Sequence, residues 1–363
     1  MNLQTHPRLP LAMKYLVLFS LLGASCLGAP PIPTEVDKMS PDDVAKAVSA
    51  LKENFVRPEA LNDAELARAT LQGLLDRLAP GASLVLAGAS NAEAPAPFYS
   101  EVCNGKTGYL RVGEVTAANI EKARQALKDW SAKGVGAVVL DLRATPASSD
   151  FDTGAGLARL FCAKGTELFS LTAGKGHALK DPKADAPAAQ TRTFSAEADP
   201  LFKGVLVVLV DRGTAEAPEA VAESLQKCAK ALVVGDKTAG RAFQYTDVPL
   251  NAVKLRVAVA QVILPDGKEP GENGLTPDIG VGLGATRKYD VMRFVTQKGV
   301  ASVIEEHDRP HLNEAALVTE KNPEVDELEA EQSGKKAPGV LIDRQLQRAL
   351  DLVTSISIYQ AKG

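Results

Sequence analysis

The stretch 202–244 leaves this chain the fewest choices of fold. Val205–Val210 is an unbroken run of valine and leucine, which fits a strand buried on both faces. Asp211-Arg212-Gly213 ends it. From Ala215 to Lys230 the apolar residues Ala217, Ala220, Val221, Leu225 and Cys228 recur at helical spacing. Ala231 to Val234 is a second buried run, closed by Gly235. Strand, turn, helix and strand in this order bring the start of a helix to an edge of the sheet. Side chains and free backbone N–H groups meet there, which suits a nucleophile or an anion.

The rest of the chain alternates in the same way and predicts an α/β fold. Ser40-Pro41-Asp42-Asp43 is a helix start: a serine cap, proline in the first position and acids in the first turn. Val44, Val48, Leu51 and Phe55 make its apolar stripe. Asn62 or Asp63 caps a second helix, with Leu66, Leu71, Leu74, Leu75 and Leu78 expected to face inward. Strands are expected over 108–112, 138–143 and 169–171, with an amphipathic helix over 119–130. Asp141 and Arg143 read as a buried charge pair at a strand end. Alanine, proline and serine from Ala87 to Pro97 predict a loop, and residues 174–200 an exposed excursion. In the tail, 285–363, helical patterns at 290–296, 300–305 and 344–355 flank a polar, acidic run over 320–338. A solvated, partly disordered interaction tail is the expectation there.

Composition narrows the function. With 363 residues and 45% hydrophobic content there is room for one large domain with extensions. A net charge of −4 without a basic stripe argues against nucleic acid as a partner. His6, His177, His307 and His311 are too scattered for a triad or a metal set, and no cofactor is implied. Residues 1–29 read as a secretory signal, with Lys14 before a short apolar core at 16–22 and small residues at Gly23, Ala24 and Ser25. Export across the inner membrane to the periplasm or envelope follows. Two readings of Cys26 stand open: a lipid anchor that would associate the chain with the membrane, and a plain cut between residues 26 and 29. Cys103, Cys162 and Cys228 would remain, an odd number that predicts no disulfide framework and no metal site. Cys162 and Cys228 read as buried core thiols; one bridge involving Cys103 is open if geometry permits.

At its central stretch the sequence resembles the C-terminal processing (tail-specific) serine peptidases. Their pattern is a strand, Gly-Ser-Ala-Ser-Ala-Ser-Glu, a helix, then Val-Gly-Glu-Lys-Thr-Phe-Gly-Lys-Gly. Here it runs Gly213-Thr214-Ala215-Glu216-Ala217-Pro218-Glu219, helix, Val234-Gly235-Asp236-Lys237-Thr238-Ala239-Gly240-Arg241-Ala242. Gly108-Tyr109-Leu110-Arg111-Val112, the strand ending in Asp141-Leu142-Arg143, and Gly274-Leu275-Thr276-Pro277-Asp278 resemble further phrases of the family. The resemblance implies a core of repeated strand-strand-helix units, ClpP/crotonase-like, over 108–284. It also implies an N-terminal helical segment over 38–80, and residues 81–107 as a loop in place of the family's PDZ domain.

The resemblance places Glu216 in the seat of the family's nucleophile and Arg241 in that of its base, 241 − 216 = 25 residues apart, the family spacing. A serine–lysine pair works because the lysine can be neutral and take the serine proton. Arginine stays protonated, and glutamate has no hydroxyl to acylate. The family's glycine-bearing oxyanion loop, Asn-Asn-Pro-Gly-Gly, is replaced by Ala144-Thr145-Pro146-Ala147-Ser148, with Ala147 and Ser148 where the glycines were. A salt bridge between Glu216 and Arg241 is expected. The implied function is an inactive family member that binds a peptide or protein segment, or regulates a partner. The alternatives are an endopeptidase using other residues, with Thr214 the candidate in reach, and a purely structural envelope protein.

Overall fold

A computed structural model describes residues 35–86, 95–174, 190–270, 274–283, 285–304 and 341–361. Its helices are α1 (Pro41–Asn54), α2 (Asp63–Leu78), α3 (Ala117–Ala132), α4 (Phe151–Ala158), α5 (Ala217–Cys228), α6 (Ala285–Lys298) and α7 (Arg344–Ala361). The strands are β1 (Ala82–Leu86), β2 (Tyr99–Cys103), β3 (Thr107–Arg111), β4 (Ala137–Asp141), β5 (Glu167–Ala173), β6 (Thr191–Ser195), β7 (Val205–Val210), β8 (Leu232–Gly235), β9 (Phe243–Leu250), β10 (Val253–Ile263) and β11 (Ile279–Gly280). Residues 1–74 and 75–363 form two separate compact units. The expected signal, Cys26, the four histidines and the acidic run of the tail lie outside the described residues.

In the first unit, the Ser40 hydroxyl accepts the Asp43 N–H at 3.2 Å, so the cap read from sequence is the cap observed. Asn62 caps α2 likewise, its Oδ1 accepting the Glu65 N–H at 3.0 Å. No residue of α1 or α2 is buried. The inward-facing leucines expected of α2 are therefore corrected: Leu71 and Leu74 are exposed. Among the described residues of this unit, the pair of helices has no third layer to cover such a stripe.

The second unit is built on a six-stranded sheet in the order β11-β8-β7-β4-β3-β2, parallel except for β2. Successive strand residues point to opposite faces. Val138, Leu140, Leu206 and Val208 meet Leu127 of α3, Leu157 of α4 and Val221 and Leu225 of α5. Ala137, Val139, Val207 and Leu209 meet Val291 and Val295 of α6 and Leu346, Ala349 and Val353 of α7. The solvated tail is thus corrected: residues 285–304 and 341–361 are the layer on the second face. Strands that are apolar at every position need both faces covered, and α6 and α7 provide the second cover.

Strands also replace two expected loops. Over 81–107, Leu84-Val85-Leu86 pairs antiparallel with β10. Asn104 and Gly105, both at positive φ, close β2 and β3 into a tight hairpin. Within the expected excursion 174–200, β6 pairs with β5. These strands belong to a second sheet, β1-β10-β5-β6 with β9 on β10, and to the edge of the first.

Cys162 and Cys228 form a disulfide, with Cα atoms 5.6 Å apart, and among the described residues the free thiol is Cys103. This corrects the reading of the first two as separate core thiols. Helical spacing shows which face a cysteine occupies but not which face opposes it. Burial, then the charge of Glu101, push the Cys103 thiol up to about 12, so it stays protonated and unreactive.

Candidate functional site

The site forms where β7 turns into α5. Glu216 stands at that turn with φ 59 and ψ −129, a conformation that costs a non-glycine residue about 1–3 kcal/mol. Packing holds it there. Nine of the twelve residues of α5 are buried, which fixes the helix start against the sheet. On the far side, Gly235 sits at φ +134, and any Cβ there would lie 2.0 Å from the Val210 carbonyl oxygen. Only glycine lets β8 turn off so close to the end of β7.

The main chain joins the two predicted seats. The Glu216 N–H donates to the Arg241 carbonyl at 3.1 Å. The side chains do not meet. Glu216 is buried, 3% exposed. Its Oε2 accepts the Ser149 hydroxyl at 2.8 Å, and its Oε1 lies 3.5 Å from Nη2 of Arg256. Arg241 is exposed, and among the described residues no carboxylate lies within ion-pair distance of it. The expected Glu216–Arg241 salt bridge is therefore corrected. Its physical reason is Glu219, whose carboxylate accepts the Gly240 and Arg241 N–H groups at 2.8 Å each, together with the Thr238 hydroxyl. That clamp fixes the backbone of 238–241 and leaves the Arg241 side chain in solvent. Arg256 takes its place beside Glu216, its guanidinium lying over the Tyr245 ring at 5.0 Å.

The positions expected to form the oxyanion loop lie beside the turn. Ala147 is exposed, and Ser148 forms a short parallel bridge with Glu216. The Ala217 N–H donates to the Ser148 carbonyl at 3.0 Å. In an elbow-type hydrolase, the amide after the nucleophile is one of the donors that meet the oxyanion. Here it is already engaged. Thr214 is fully buried; its hydroxyl accepts the Asp211 N–H at 3.1 Å and faces the Leu142 carbonyl at 3.4 Å, bracing the turn. Asp278 accepts the Val233 N–H at 2.8 Å, and Thr238 Oγ1 accepts the Leu275 N–H at 2.7 Å. The family-like phrases at 234–238 and 274–278 thus tie β8 and its neighbours together.

Sequence reasoning missed Ser149 and Arg256, because neither sits in a motif; they reach Glu216 only through the fold. Glu219 did carry a signal, as the last residue of the Gly213–Glu219 phrase. Among the described residues no group of histidine, cysteine and acidic side chains could hold a metal ion, and no helix is long and apolar enough to cross a membrane.

A residue at positive φ in a strand-to-helix turn, with neighbouring amides gathered round it, is the frame of the elbow-type hydrolases as a class. The model of peptidase family S41 matches residues 106–281 of this chain. It is 29% identical over 174 residues to the chloroplastic C-terminal processing peptidase of Tetradesmus obliquus, covering 47% of this chain and 34% of that protein. It is 29% identical over 203 residues to the chloroplastic carboxyl-terminal-processing peptidase 1 of Arabidopsis thaliana, covering 55% and 39%. The carboxy-terminal-processing protease of Bartonella bacilliformis matches at 29% over 191 residues, covering 51% and 41%. The chain therefore spans well under half the length of these relatives. Among solved structures, the photosystem II D1 C-terminal processing protease aligns with a TM-score of 0.39 at 25% identity, over 55% of this chain and 48% of that one.

Proposed function

We propose that this chain is a peptidase-family scaffold that binds extended polypeptide segments without cleaving them, and acts in the cell envelope as a binding or regulatory partner. One observation carries the reading: the nucleophile seat holds a buried glutamate whose own N–H and whose successor's N–H are both taken by carbonyls of the protein. Acyl transfer needs a hydroxyl, a neutral base and a free donor for the oxyanion. Glu216 and Arg241 supply neither of the first two, and Ala217 is engaged. The envelope location is supported by the leader-like residues 1–29 and by the Cys162–Cys228 bridge, since disulfides persist in oxidising compartments.

The test uses the purified full chain, a fluorophosphonate probe and fluorescently labelled casein as an unfolded polypeptide. No covalent labelling and a saturable rise in casein anisotropy are expected. Labelling would overturn the inactive reading.

A second reading rests on the Ser149 hydroxyl, 2.8 Å from the Glu216 carboxylate. A carboxylate can act as a general base, so this pair is the place for a serine endopeptidase using non-standard residues. Fluorophosphonate labelling that disappears in Ser149→Ala would establish it.

The double variant Glu216→Ser, Arg241→Lys is expected to gain no proteolysis of casein. It restores both reacting groups, yet Ser148 still occupies the Ala217 N–H. Cleavage by the double variant would show that the loop yields that amide when substrate arrives.

A further inference from the structure

Helix α5 carries two buried carboxylates one turn apart, Glu219 and Glu223. Residues four apart on a helix are neighbours. Their surroundings differ sharply. Glu219 receives two backbone N–H groups and a hydroxyl from 238–241. Glu223 is 4% exposed, and its Oε2 is buried with no hydrogen-bond partner. The charges acting on it are Glu219 and Lys227 of its own helix and Asp266 of the turn after β10. Lys227 is bound to Asp266 at 2.7 Å, so no cation is dedicated to Glu223. Strands β5, β7 and β8 and helix α4, which pack against α5, contribute no charge to it. A buried carboxylate without donors is costly as an anion, and more so beside a second carboxylate.

We propose that Glu223 is a proton-operated latch on the 238–241 segment. As a neutral acid it leaves Glu219 to hold that segment; as an anion it repels Glu219 and favours a form in which the segment has let go. The segment includes Arg241, whose carbonyl anchors the Glu216 turn, so the latch sets how firmly that turn is held, whatever the cleft binds.

Burial, then the charge of Glu219, push Glu223 up to about 7, whereas a carboxyl released to water returns towards its ordinary value of 4.5. Between those two values the held form binds more protons than the released one. The held form is therefore most favoured below about pH 4.5, loses ground up to about pH 7, and changes little above that. Each pH unit inside the window changes the opening equilibrium up to about tenfold. Burial raises Glu219 as well, against the pull of its donors, so its contribution has the same sign.

Amide hydrogen exchange at Gly240 and Arg241 in the full chain, corrected for the intrinsic pH dependence, measures this opening. A rise of about two orders of magnitude across the window, then a plateau, is expected. Glu223→Gln is expected to remove most of the rise and keep exchange slow at neutral pH. Carbon-13 NMR of the Glu223 carboxyl in the unaltered protein gives a second reading that needs no variant, with an expected midpoint near 7. A midpoint near 4.5, or a pH response unchanged in Glu223→Gln, would overturn the latch.

Discussion

Replacing Asp343 by alanine is expected to lower the stability of the second unit by about 3–5 kcal/mol. Its partner Arg143 is fully buried, and all five guanidinium donors are used. Nε and Nη2 bond Asp141 at 2.9 and 2.6 Å; Nη1 and Nη2 bond Asp343 at 2.9 and 2.7 Å; Nη1 also reaches Gln345 at 2.9 Å. Tyr109 donates to Asp141 at 2.7 Å. Burial alone would favour a neutral guanidine, but the charges of Asp141 and Asp343 outweigh it and hold Arg143 well above its ordinary value. Removing Asp343 leaves that cation buried with one carboxylate instead of two. It also removes the acceptor of the Leu346 N–H at the start of α7. Because Asp343 belongs to the tail layer and Asp141 to β4, the pair fixes α7 to the sheet. Urea unfolding measures the loss, and a change below about 1 kcal/mol, the worth of an exposed pair, would contradict this account. Replacing the whole network with apolar residues of similar volume is expected to cost far less, since the penalty lies in the unpaired charge.

Loss of the Cys162–Cys228 bridge has the next largest expected effect. The cysteines are 66 residues apart, and the denatured chain gains the freedom of that loop when the bond is absent. The chain-entropy relation gives about 4 kcal/mol for a loop of this length. Cys162→Ser, Cys228→Ser should therefore shift the urea midpoint strongly and raise the m-value, since the unbridged denatured chain exposes more surface, and reductant should reproduce both changes in the unaltered protein. Identical midpoints with and without reductant would mean that the bond forms no part of the stable protein. The bond ties the segment that follows α4 to the last residue of α5, and the two helices pack together. Because α5 begins at the Glu216 turn, the bridge anchors the far end of the element that carries the site.

What could be read from the sequence was local. The β7–α5–β8 unit was legible because apolar runs and helical spacing are local patterns, and the Ser40 cap because its bond spans three residues. Residues 216 and 241, singled out by their 25-residue spacing, share a main-chain hydrogen bond. The side chains did not follow, because their direction depends on Glu219 holding the backbone from the other side. Ser149 lies 67 residues from Glu216, and nothing in its own neighbourhood announces that contact. The tail misled for the same reason. An amphipathic helix declares that one face is apolar but not what covers it, and the cover here is a sheet encoded far upstream. Short strands such as β6 carry too few residues to stand out in polar text.

The proposed function turns on Glu216, in the expected nucleophile seat, being unable to support acyl transfer. Mass spectrometry of casein incubated with an equimolar amount of the full chain tests it most directly. Intact casein over a prolonged incubation is the expected result. Peptides that accumulate with time, and cease to form when Glu216 is replaced by glutamine or Ser149 by alanine, would contradict it.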